Sequence, residues 1–354
     1  MKAGRAFTLA ELLVAAVLAA LLALMVVAVM AQVLEQWNRT TARGTVAAEA
    51  RLVLDQLAGD LQGAILRADG GACLVVSVLP DARLSGLWRP AAVPAQGKPG
   101  NEHPHTLDLA VPALDQARFG VAGVWLRLFT TKSDTGAGDA NLPAPVAVGW
   151  QMVRRSVTSS PTAEQRYLLF RSEVRRTATA GGAPGTFEAG YDLDPAAVPP
   201  TPYQTANGTA GDPGNLIRPP LGAAFADNVI DFGMRLYVRE GVHLRLIFPA
   251  RPATRGGAPV VGALTAETPP SAETEHRARR SQPAADDYYR HAFPDTADIM
   301  IRVLTEEGAR IVAAYEAGRL RPPDGVAAAD YWWTLAEAHS EVFMRRVSIP
   351  GRPI

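Results

Sequence analysis

Side chains able to bind or transform a ligand are few and scattered in this chain. His103 and His105 stand two apart in NEHPHTLD, with Glu102 beside them, and offer two imidazoles and a carboxylate to a metal. The same run reads more simply as a solvated loop ahead of a strand. His276, His291 and the pair Asp286 and Asp287 have neither helical nor tight-turn spacing. The basic run from His276 to Arg280 is able to touch phosphate, yet Glu273, Glu275 and the two aspartates flank it, which favours a solvated loop. Asp192 and Asp194 in YDLDP could give oxygen ligands to calcium, but the dense carboxylate and carbonyl pattern that calcium needs is missing. Tyr331, Trp332 and Trp333 cannot all face one core. Packing is their expected role, with one of the rings left to line a subunit contact.

Catalytic spacings are absent from the sequence: there is no G-x-S-x-G elbow, no H-E-x-x-H, no Walker A run and no well-placed G-x-G-x-x-G. The expectation is a non-enzyme with no catalytic residue, cofactor or metal. Lys plus Arg and Asp plus Glu balance at 35 each, so no net field attracts nucleic acid, which is not expected as a main partner. The single cysteine, Cys73, excludes an intramolecular disulfide framework and reads as a small buried apolar residue.

One carboxylate stands out by position. Phe7 to Ala31 reads FTLAELLVAAVLAALLALMVVAVMA, 25 residues with Glu11 as the lone charge, long enough to span a bilayer as a helix. Lys2 and Arg5 precede it and stay cytoplasmic by the positive-inside bias, which places everything after about residue 32 outside. An ionisable residue in such a span is a functional hypothesis by default. Three fates fit the segment: a signal peptide cut before Gln32, an uncleaved anchor, or a processed leader.

The stretch RAFTLAELLV resembles the type III signal of type IV prepilins and type II secretion pseudopilins. A basic leader is followed by a small residue, Phe, Thr-Leu, and Glu at the fifth mature position. The resemblance implies that prepilin peptidase cuts between Ala6 and Phe7 and that Phe7 is then N-methylated. Ala6 stands where the family usually has glycine. It also implies a role for Glu11, which pairs with the Phe7 amine of a neighbouring subunit and sets filament register. An opposite charge offsets the desolvation of a buried carboxylate.

The elements that must position these residues follow from periodicity. Residues 1–6 are the leader, 7–31 the transmembrane helix and 32–69 an amphipathic continuation. There Ala47, Ala50, Leu54, Leu57, Leu61, Ile65 and Ala68 recur every three or four positions, and Arg51, Asp55, Asp60, Gln62 and Arg67 fall on other faces. Residues 70–354 form an exported, β-rich domain. Its expected strands are Cys73–Leu79, Thr106–Ala110, Gly123–Thr130, Val146–Val157, Tyr167–Val174, Val229–Arg239, His243–Phe248, Ile299–Leu304 and Glu341–Ile349, with helices at Thr305–Ala317 and Ala327–His339. A hairpin at 239–242 argues for a largely antiparallel sheet. Residues 176–222 and 251–296 read as long loop insertions poor in core-forming residues.

The fold class expected is α+β, and the resemblance makes it pilin-like, a long N-terminal helix on a sheet. The runs PVAVGWQMVRR, QRYLLFRSEVRR, FADNVIDFGMRLYVREG, TADIMIRVLTEEGARIV and SEVFMRRVSIPGRP are similar to the strand order of J-type minor pseudopilins. The length, insertions and WW pair look more like the C component of the Verru_Chthon prepilin-like cassette. The implied role is a large minor subunit at a filament tip or initiation complex, single-pass in a bacterial inner membrane with its domain in the periplasm. Implied partners are prepilin peptidase, other pilins or pseudopilins, the inner-membrane assembly platform with its ATPase, and membrane lipid. Two other functions stay open: a minor pilin whose insertions bind a ligand, DNA or secreted substrate, and an anchored or secreted envelope protein with no filament role.

Overall fold

A run from Leu9 to Gln62 without proline, rich in alanine and leucine, forms one α-helix, α1. The computed structural model describes residues 9–66, 71–78, 98–99, 114–119, 123–133, 143–157, 165–174, 193, 221–249, 275–279 and 291–353. The chain divides into two compact units, Met1–Ala47 and Ala48–Ile354, with the boundary inside α1. In the first unit the apolar side chains of α1 face outward, from Leu9 through Met30 to Trp37. This is a helix long and apolar enough to cross a membrane, and its most apolar stretch is wholly exposed. Thr40 and Thr45 turn their hydroxyls back on the Gln36 and Thr41 carbonyls.

In the second unit the rest of α1 buries Ala50, Val53, Leu54, Leu57, Ala58 and Leu61, a stripe at three- and four-residue spacing, and leaves Leu52 and Arg51 exposed. The helix closes at Gln62 and not at 69. Gly63 is the reason: its carbonyl accepts the Thr131 N–H at 2.9 Å, and a Cβ there would stand 2.5 Å from Thr130 Oγ1. Ile65, counted above as helical, is buried in strand β1 (Ile65–Leu66), which pairs in parallel with β12 (Arg352–Pro353).

Among the described residues, ten further strands build two antiparallel sheets. The larger takes the order β6-β5-β4-β3-β2-β9 and comprises β2 (Ala72–Val78), β3 (Val124–Ser133), β4 (Pro143–Ser156), β5 (Gln165–Val174), β6 (Ala224–Asp227) and β9 (Glu275–Arg279). The smaller, β11-β10-β7-β8, comprises β7 (Val229–Glu240), β8 (His243–Phe248), β10 (Thr296–Leu304) and β11 (Ser340–Ser348). The architecture is thus α+β, a long N-terminal helix followed by antiparallel sheets. The expected hairpin is present: Glu240 pairs with His243, and Gly241 takes φ +61° at the first turn position. Strand β7 approaches β4 and β5. Gly233 on β7 lets Phe119 lie flat on the backbone, since a Cβ there would fall 2.1 Å from the ring.

Two helices cap this core. Helix α2 (Glu306–Glu316) starts at Thr305, whose hydroxyl accepts the Gly308 N–H at 3.1 Å, and α3 (Ala328–Ala338) precedes β11. The expected strand at Thr106–Ala110 lies outside the described residues. The two insertions are only partly described, and their described residues include an edge strand and one buried leucine. Within 251–296, Glu275–Arg279 form β9, paired with β2 on a sheet edge. Within 176–222, Leu193 is buried among Ile65, Ala72, Val75, Phe129 and Ala147, and its carbonyl accepts the Arg127 guanidinium at 2.8 Å. A single anchoring leucine in a polar run leaves no periodic trace.

Candidate functional site: the helix anchor and a buried polar network

Ala6 and Phe7 lie outside the described residues, and Glu11 is placed as part of α1 by its backbone alone. His103, His105, Asp192, Asp194, Asp286 and Asp287 also lie outside them. Among the described residues no group of three or more His, Cys, Asp or Glu could hold a metal ion.

What is on view is how α1 is held. Asp60, assigned above to a polar face, is 4% exposed, in the last turn of the helix. Its carboxylate accepts Arg171 Nε and Nη2, each at 2.8 Å, Trp150 Nε1 at 2.8 Å and Gln56 Nε2 at 3.2 Å, while its backbone carbonyl accepts Thr130 Oγ1 at 2.8 Å. The peptide dipoles present their negative end at a helix C-terminus, so a buried carboxylate there requires a cation. Arg171, which also donates to Glu173 at 2.9 Å, supplies it in a two-pronged contact. The register places these partners: β4 brings Trp150 and β5 brings Arg171 as directly opposed residues. Nearer the start of this unit, Glu49 accepts the Asp227 N–H at 2.9 Å, and burial raises its carboxyl above the usual range. Arg345 on β11 pairs with Asp55 at the surface.

A second polar network lies beneath α2 and α3. Glu316, at the end of α2, accepts Tyr167 Oη at 2.5 Å, Trp332 Nε1 at 3.0 Å and Arg154 Nε at 2.7 Å. Burial, and then the Glu316 charge, push the Tyr167 phenol well above its ordinary range. Trp332 and Trp333 meet edge to face at 4.9 Å and are both buried, so neither ring is left for a subunit contact. The two neighbours are buried on different sides: Trp332 reaches Glu316, and Trp333 lies under Lys98 and Arg118. Lys98 is wholly enclosed, with Nζ donating to Ile230 O at 2.5 Å and to Asp231 Oδ1 at 3.2 Å.

The basic run at 276–280 also changes character. His276 is buried, its Nε2 bonded to Ala292 O at 2.9 Å, while His291 Nδ1 meets Arg277 O at 3.0 Å. Desolvation pulls His276 down to about 4, only partly opposed by the Ala292 bond. Neutral at pH 7, it is a clip and not a phosphate contact. Cys73, as its apolar reading expects, is buried, with Sγ 3.1 Å from Ala278 O. Sequence reasoning missed Asp60, Glu316, Lys98 and Asp231. Only Asp60 carried a signal, a carboxylate three positions after Leu57 at the margin of the apolar stripe. Compared with known proteins, the chain matches no family model, no curated protein and no solved structure.

Proposed function

We propose that the chain is a prepilin-like structural subunit, a large minor pseudopilin of a type II secretion or type IV pilus-like filament, at its tip or in its initiation complex. One observation carries the reading: a single helix from Leu9 to Gln62 begins as an exposed apolar run of membrane-spanning length and ends as a face buried on antiparallel sheets. An ordinary signal peptide or anchor has no reason to continue without a break into the core helix of the domain it exports. A filament subunit does, because the same helix must leave the bilayer and carry its domain with it. The RAFTLAELLV resemblance supplies the processing step, cleavage after Ala6 and methylation of Phe7, and gives Glu11 a partner in the freed amine of a neighbour. On this reading the helix sits in the bacterial inner membrane and the domain is periplasmic.

The test is mass spectrometry of the N-terminal peptide from membranes of a host with its own prepilin peptidase. The expected peptide begins with N-methylated Phe7. An intact Met1 or a Gln32 start overturns the filament reading in favour of an anchored or secreted envelope protein.

A further inference from the structure

The Lys98 ammonium is wholly enclosed, and nothing in an assembly role uses it. Lys98 and Asp231 have side chains with 0% exposure each, and they face one another with Nζ 3.2 Å from Oδ1, which places the carboxyl carbon one bond further on. The Ile230 carbonyl holds Nζ at 2.5 Å, and the Phe119 N–H donates to the other carboxyl oxygen, Oδ2, at 3.1 Å. Trp333 closes one side, its ring centre 5.6 Å from Nζ. A third buried carboxyl, Glu316, acts on Lys98 through its charge and accepts the Tyr167 O–H at 2.5 Å.

We propose that Lys98 and Asp231 are a modification site, joined by an intramolecular isopeptide bond. The step begins with one proton passed from the Lys98 ammonium to Asp231 Oδ1, which leaves the neutral amine and the acid that condense. Burial already draws the Lys98 amine below its usual range. The amine nitrogen attacks the carboxyl carbon, and the Phe119 N–H steadies the charge that gathers on Oδ2, as an oxyanion donor does. One proton from nitrogen moves to the Oδ1 hydroxyl, the carbon–Oδ1 bond breaks, and one water leaves. Oδ2 remains as the amide carbonyl on the same Phe119 N–H. No oxidant, cofactor or second reactant is needed, since the fold already holds the two groups side by side. The bond would close a loop between residues 133 positions apart, a covalent tie in a chain whose lone cysteine permits no internal disulfide.

The experiment is a protease digest of the full chain, solubilised from membranes in detergent, with tandem mass spectrometry of the peptides bearing Lys98 and Asp231. The expected product is one branched peptide, lighter than the two linear ones together by the mass of one water, and absent from Lys98→Arg. Two linear peptides with a free Lys98 amine, recovered from folded wild-type chain, overturn the proposal. So does a water loss that fragments as a succinimide at Asp231. The wild-type digest decides by itself, whether or not the variant folds.

Discussion

At the scale of single residues, Asp60 ties the end of α1 to β4 and β5. Removing one partner of a buried, hydrogen-bonded ion pair strands the other charge and costs about 3 kcal/mol or more. Asp60→Ala should therefore lower stability by that order, Arg171→Leu by a similar amount, and the double variant by clearly less than their sum. Urea unfolding of the detergent-solubilised chain measures all three, and additive losses would mean that the pair is not coupled. Asp60 was half legible. Its spacing from Leu57 puts it beside the apolar stripe, but a carboxylate in an apolar context reads as solvent-facing until the cation and the indole that meet it are known. Arg171 and Trp150 are 111 and 90 positions away, and no local pattern announces them.

Elements divide by how local their causes are. Strands β3, β4, β5, β7, β8, β10 and β11 and both short helices are close to their expected places, because alternation, turn residues and the Thr305 cap are written within each segment. Strand β9 was not legible. Five residues, EHRAR, with three or more charges carry no strand signal, and pairing with β2 alone makes them a strand. The same edge is where acid should act. An unfolded chain takes up a proton on His276 near pH 6.5, whereas the folded chain holds it neutral until about 4. Between those values the unfolded state binds more protons, so the contribution is complete above about 6.5 and is lost as pH falls to about 4, a change of about 3 kcal/mol. Thermal melts across that window should show the loss, and His276→Leu should flatten it. An unchanged slope in the variant would assign the acid sensitivity to other groups.

For the whole molecule, the boundary at Ala47 and Ala48 predicts two different truncations. A chain that starts at Ala48 keeps the stripe from Ala50 to Leu61 together with Asp60, and should fold and melt cooperatively without detergent. A chain that starts after Gln62 lacks that stripe and strands Arg171, and should not fold. Circular dichroism melts separate the two, and equal behaviour of both would show that this part of α1 is dispensable to the core. Balanced charge and an apolar start were readable at this scale. The division into a six-stranded and a four-stranded sheet was not, since it depends on which edges meet.

The point where α1 stops has a mechanical meaning. A pull along the helix toward its N-terminus loads, in succession, the Asp60–Arg171 contact, the Gly63 carbonyl against Thr131 and the short β1–β12 pair. The first two tie the helix end to interior strands of the larger sheet, and the third to a strand at the far end of the sequence, so tension is shared among three segments distant along the chain.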